Sequence, residues 1–218
     1  MIFLSDVFTL WLCPDSRHSP ENEEEVFKEK NALYILPAGT DSSRAEESSA
    51  SGGGYSLSAS GNGAVSVYDD GGSLVNCYFG MHGREKEGDF TVFRHGGFLC
   101  GLSSGNDLLF PEHSRILALA GADLICIFPP ADVPGEFPLE IFARVRAVEN
   151  LVYVVLVVPG SFPPLVYGPR GERIGTCRCG ESREKEAVLS RANLLKARKM
   201  IPLFDLRKKE RYHSITVL

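Results

Sequence analysis

The chain has 218 residues, of which 23 are basic and 28 acidic, for a net charge of −5 at pH 7. A chain of that size buries about 71% of its unfolded surface without disulfides or structural metals, and its acidic balance argues against a nucleic-acid-binding face. Apolar runs such as Leu151–Val158 reach strand length, short of the roughly 20 residues that cross a bilayer, so a membrane is not expected as a partner either.

The N-terminal stretch MIFLSDVFTLWLC has no basic region before it and holds Asp6, which fits a buried strand better than a secretory signal. Glu21–Lys30 begins with Glu and ends with Lys, a pattern that favours a helix through the macrodipole and i,i+4 pairing. Residues 41–63 hold eight Ser and five Gly with little to bury. They are expected to form a flexible loop, an expanded hairpin connection between strands at Leu33–Gly39 and Ala64–Tyr68.

Strands are predicted over Leu74–Tyr78, Thr91–Arg94 and Phe98–Ser103, then a helix over Pro111–Ala120, where Pro and Glu occupy the favoured first turn. Gly121 suits the helix end, and the strand Leu124–Phe128 follows. Pro138–Asn150 spaces Ile141, Val145 and Val148 along one helical stripe and feeds Leu151–Val158, apolar on both faces and so central in its sheet. Short strands at Leu165–Tyr167, Arg173–Cys177 and Ala187–Ala192, a helical turn at Leu194–Lys199 and a basic tail over residues 205–218 complete the chain. Mixed strands and helices in this order indicate a layered α/β sandwich over residues 1–218, read as one domain.

Six cysteines are scattered along the chain, four of them in apolar or strand-like surroundings. They read as reduced thiols of a cytoplasmic protein. Cys177 and Cys179 would share a strand face, yet no C-x-x-C or H-x-H pair completes a zinc set. Neither a metal nor a cofactor is expected. Gly101-Leu102-Ser103-Ser104-Gly105 fits the G-x-S-x-G serine-hydrolase elbow, although a turn of small residues explains the same letters.

Gly105–Ala131 (GNDLLFPEHSRILALAGADLICIFPPA), Arg146–Val155 (RAVENLVYVV), the tail RKMIPLFDLRKKERY and the strand pair GAVSVYDDGGSLVNCYFGMH resemble the nitrilase, or carbon–nitrogen hydrolase, superfamily. The resemblance runs from about residue 31 to 212. It implies an αββα four-layer sandwich, commonly doubled by dimerisation. It also implies hydrolysis of non-peptide carbon–nitrogen bonds by a Glu, a Lys and a Cys, in which the carboxylate takes the thiol proton, the thiolate attacks carbon and the ammonium steadies the developing charge.

All three catalytic positions depart from that pattern. The family's cysteine, five residues before Phe-Pro-Glu, falls on Gly105, while Asp107, Phe110, Pro111 and Glu112 match. The Tyr-Arg-Lys-x-His pattern reads Tyr78, Phe79, Gly80, Met81, His82, so the lysine is Gly80. With IFLSDVFTL taken as the Glu-bearing strand, Pro-Glu falls on Ser5 and Asp6. The fold is then expected to lack the family's first strand and helix, exposing a sheet edge that a partner covers. Glycine supplies neither nucleophile nor charge, so the resemblance implies an inactive homologue working by protein contact, as a homo-oligomer or in a complex with other proteins such as an active relative. The rival is an amidase- or nitrilase-type hydrolase with Cys100 as nucleophile, which requires five extra residues in the loop after that cysteine.

Overall fold

The structure, a computed structural model, describes residues 7–12, 32–36, 39, 42–60, 63–82, 89–130, 132, 134, 137–161, 163–175, 177–178 and 185–212. The first part of the chain supplies β1 (Val7–Leu12), β2 (Leu33–Ile35), α1 (Ser42–Gly52), β3 (Tyr55–Ala59), β4 (Val65–Tyr68) and β5 (Leu74–Tyr78). Next come β6 (Val92–His95), β7 (Phe98–Ser104), a short 3-10 turn (Gly105–Leu109), α2 (Pro111–Leu119), β8 (Leu124–Phe128), α3 (Leu139–Asn150), β9 (Tyr153–Leu156) and β10 (Leu165–Tyr167). β11 (Cys177–Arg178), β12 (Lys185–Ser190) and α4 (Arg191–Met200) follow.

These strands form a seven-stranded sheet in the order β11-β12-β1-β2-β3-β4-β5 and a five-stranded sheet in the order β10-β9-β8-β7-β6. Their side chains explain the stacking. Along β8, Leu124, Cys126 and Phe128 join Leu10, Leu12, Leu33, Ile35 and Leu57 in a core between the sheets. The alternate residues Ile125 and Ile127 join Leu117 of α2 and Ala143 and Ala147 of α3 in a second core. On the far face of the seven-stranded sheet, Tyr34, Leu36 and Tyr68 pack with Ala45 of α1. The period-two alternation of each strand therefore serves two cores at once, and the layers run helix, sheet, sheet, helix, as the αββα expectation requires.

Residues 41–63 are not the loop that their composition predicts. Ser42–Gly52 is the helix α1, and β3 runs parallel to β2 with Leu33 opposite Tyr55, so the connection is a crossover and no hairpin exists there. Small side chains are what this layer requires. Ala45 and Ser49 are fully buried, Ser49 Oγ donates to Ser56 Oγ at 2.7 Å, and Ser56 Oγ donates to the Ala45 carbonyl at 2.8 Å. A β-carbon at Gly54 would lie 2.3 Å from the Ala32 carbonyl oxygen. Close approach to the sheet compensates for weak intrinsic helix propensity.

The expected loss of a first strand is also corrected. β1 lies inside the seven-stranded sheet, antiparallel to β12 with Val7 opposite Ser190, and parallel to β2 with Leu10 opposite Leu33. The strand expected to be missing is β1 itself, and no open edge arises there. The helix predicted over Glu21–Lys30 lies outside the described residues.

At one end of the second sheet the two sheets are fastened together. The Asp123 carboxylate, 3% exposed, accepts from the Leu99 N–H at 3.2 Å, from Arg191 at 3.0 Å and from Arg198 at 2.9 Å. Arg198 donates further to the Ala122 and Leu151 carbonyls. This holds α4 on the five-stranded sheet directly after β12 leaves the seven-stranded one.

Candidate functional site

β7 carries the chain to the site. It ends at Ser104, whose N–H donates to Asp107 Oδ2 at 3.1 Å, the reach-back by which an acid at the third position of a helical turn secures its start. Gly105 opens the turn at φ +59, a left-handed conformation that glycine adopts without steric cost. On the facing sheet, β5 ends at Tyr78 and delivers Gly80 and His82 to the same place.

Asp107 is the centre of this region and has no exposed surface. Tyr78 Oη donates to its Oδ2 at 2.5 Å, and Oδ1 accepts from the His82 N–H at 3.1 Å and from His82 Nδ1 at 2.9 Å. The one phenolic proton is given to the carboxylate, so the 2.8 Å contact between Tyr78 Oη and His113 Nε2 is an Nε2–H donation from His113. Burial and the neighbouring Asp107 carboxylate hold the Tyr78 hydroxyl far above the usual phenol range. The His82 ring stacks on Phe110 at 3.7 Å between centroids and 7° between planes. These groups are spent on one another in a structural network; none is held ready to attack a substrate.

His113 titrates against folding. Its Nδ1 is buried and finds no partner among the described residues. Burial lowers its pKa from the ordinary 6.5, more than the nearby Asp107 carboxylate raises it, while His82 lowers it further. The unfolded chain therefore takes up a proton at a higher pH than the folded one, so this contribution to stability is complete above about pH 6.5 and is lost as pH falls below it. Denaturant unfolding at about pH 7.5 and pH 5.5 should give a smaller pH dependence for His113→Gln than for the parent chain. Equal slopes would remove His113 from the account.

Two of the residues singled out in the sequence meet at this place. A β-carbon on Gly80 would lie 2.6 Å from the Ser104 carbonyl oxygen and 3.4 Å from Asp107 Oδ2. The backbone of the lysine position is pressed against the strand that leads to the nucleophile position. A β-carbon on Gly105 would meet nothing within 4 Å, so the space for a side chain remains but the side chain is absent.

Asp6 does not belong with them. It precedes the described residues, and its neighbour Val7 starts β1, which runs parallel to β2 and β3. Those strands end on the site side, where Gly39 N–H donates to the Ala59 carbonyl and Ser104 Oγ donates to the Gly63 carbonyl at 2.5 Å. Val7 is thus a strand length, about 17 Å, from that end. The strand that does lead to the site is β2, and the sequence between Leu36 and Gly39 is Pro37-Ala38. The Pro-Glu pattern therefore falls on Pro37 and Ala38, with alanine in place of the carboxylate. A proline closing the apolar run Leu33–Leu36 is the signal in the sequence that points there.

Cys100 is also misplaced for chemistry. It lies within β7 with no exposed surface, in the core between the sheets. Burial pushes its thiol well above the ordinary 9.0, and Cys126 and Asp123 add to the rise. A nucleophile must be a thiolate with access to substrate, and this thiol is neither. Ser103 of the G-x-S-x-G stretch has no exposed surface either. Among the described residues no group of three His, Cys, Asp or Glu could hold a metal ion, and no helix is long and apolar enough to cross a membrane.

Comparison with known proteins agrees with the architecture. The structure is similar to a carbon-nitrogen hydrolase from Helicobacter pylori G27, with a TM-score of 0.73 at 14% identity over 97% of this chain and 99% of that one. It is similar to Nit3 of Saccharomyces cerevisiae, with a TM-score of 0.66 at 17% identity over 95% and 98% of the two chains. A Pseudomonas protegens protein described as "Hydrolase in pqqF 5'region" is 40% identical over 68 residues, a stretch that is 31% of this chain and 24% of that protein. The model of the carbon-nitrogen hydrolase family matches residues 51–189, and the chain belongs to that family.

Proposed function

We propose that this chain is a catalytically inactive member of its family that keeps the sandwich as a platform for protein–protein contact, serving as a structural or regulatory subunit in the cytoplasm. Its partners are further copies of itself or other proteins, an active relative among them. One observation carries the reading: glycine stands at both the nucleophile and the ammonium positions, and at Gly80 the neighbouring backbone leaves no room for a side chain. Loss of a covalent nucleophile costs on the order of 10⁶ in rate, and the loss of a charge-stabilising group adds to it without simple additivity.

A hydrolase working through Cys100 is the competing reading. The Nesterenkonia amidase, a structural neighbour, takes the acetamide moiety of fluoroacetamide covalently at its active-site cysteine. In this chain the cysteine of β7 is sealed in the core, which speaks against the same reaction. The purified protein, offered simple amides, ureido compounds and nitriles, should release no ammonia above the blank, and iodoacetamide should leave Cys100 unmodified until denaturant is added. Ammonia release that Cys100→Ala abolishes would reverse the assignment.

A further inference from the structure

The chain's charge is unevenly distributed. Of its 23 basic and 28 acidic residues, eight basic and only two acidic ones fall between Arg191 and Tyr212. Arg191 and Arg198 are used by Asp123. Lys196, Lys199, Lys208, Lys209 and Arg211 are exposed, and none has an acidic partner among the described residues.

Apolar side chains are exposed in the same stretch: Leu195 at 51%, Met200 at 63%, Ile201 at 52% and Leu206 at 65%. Their position is held from beneath. Phe204 packs with the helix-side core and lies under the Arg115 guanidinium at 5.5 Å, so this arm is part of the folded surface while its other apolar groups face outward.

We propose that α4 and the arm that follows it, Leu195–Tyr212, form the docking surface for an acidic segment of a partner protein, whose apolar side chains seat on Met200, Ile201 and Leu206. The proposal rests on the protein-contact reading above and names the chemistry of the partner. Interspersed cations and apolar groups complement a segment that alternates acidic and apolar residues, and complementary charge sets orientation and rate of encounter.

Nucleic acid fits less well, because both aromatic rings of the arm are engaged by arginines of this chain, Phe204 by Arg115 and Tyr212 by Arg207, and are not free to stack on bases. A lipid surface fits less well too. The arm is built of turns and a three-residue 3-10 segment, without the wide apolar helical face that lies in a membrane interface. The rest of the chain is strongly acidic and is repelled by anionic headgroups.

The full-length protein should bind a fluorescein-labelled peptide of alternating glutamate and leucine, and added salt should weaken the binding. Charge reversal at the exposed Lys199→Glu, Lys208→Glu and Lys209→Glu should weaken it by about tenfold or more, with circular dichroism unchanged. Arg44→Glu, on α1 in the outer layer of the other sheet, should leave binding as it is. Equal binding by parent and reversed variant would overturn the proposal. So would stronger binding to phosphatidylserine vesicles or polyuridylate, or a self-associated state that charge reversal converts to monomer. Ammonia release by the unmodified chain would sink the inactive-homologue reading and leave peptide binding untouched, so the two failures are distinguishable.

Discussion

Asp107→Ala is expected to lower the unfolding free energy by about 3–5 kcal/mol, the range for removing one partner from a buried, charged hydrogen-bonded cluster. For a chain of this length that is a fall in melting temperature of about 6–20 °C. The size follows from what is left behind. Tyr78 Oη, the His82 N–H and Nδ1, and the Ser104 N–H all donate to this one carboxylate, and in the variant all four would search for acceptors in a largely dry setting. Asp107→Asn keeps the shape but exchanges an acceptor for a donor, and should fall between the two. Urea unfolding of the three proteins measures the difference. A loss no larger than the ~0.5 kcal/mol of an ordinary surface change would show that the network does not hold β5 to β7.

Rebuilding the family's reactive groups is expected to fail. Gly80→Lys together with Gly105→Cys restores two of the missing functional groups in name, yet ammonia release from small amides should stay at the blank. The obstacle is at residue 80. Its β-carbon would sit 2.6 Å from the Ser104 carbonyl oxygen, and Ser104 cannot give way easily because its N–H is tied to Asp107 and its hydroxyl to Gly63. Even Gly80→Ala should destabilise by about 1–3 kcal/mol, as overpacking does. Gly105→Cys alone meets open space and should cost roughly 1–2 kcal/mol for its left-handed backbone. The carboxylate would still be missing, since Ala38 stands in the Pro-Glu pattern. Turnover by the double variant would mean that the old pocket survives, and the inactive reading would need a different cause.

Elements with a strong hydrophobic period are legible in the amino-acid order alone. The strand Leu124–Phe128 and the helices near 111–120 and 138–150 stand where alternation, a first-turn proline and an apolar stripe place them, because such segments are buried according to their own pattern. α1 is not legible in that way. Its serines and glycines resemble a linker, and only the tight space between Tyr34, Tyr68 and the sheet makes small residues the ones that fit. The glycines at positions 80 and 105 stand out because Tyr78, His82, Asp107 and Phe110 frame them at fixed spacing. The third position is misplaced at Asp6 because the two parallel strands β1 and β2 are both short apolar runs, and sequence alone does not say which of them reaches the site. What separates them is direction and order in the sheet, a property of the assembled fold.

The pairing of β1 with β12 also governs how the molecule comes into being. Val7 meets Ser190, so a strand made in the first moments of translation waits for nearly the whole chain before its second neighbour emerges. Contacts so remote along the polypeptide slow folding, because a large loop must close before they reward it. Until then the nascent chain offers an apolar strand with one side unfilled, the circumstance in which growing polypeptides aggregate or engage chaperones.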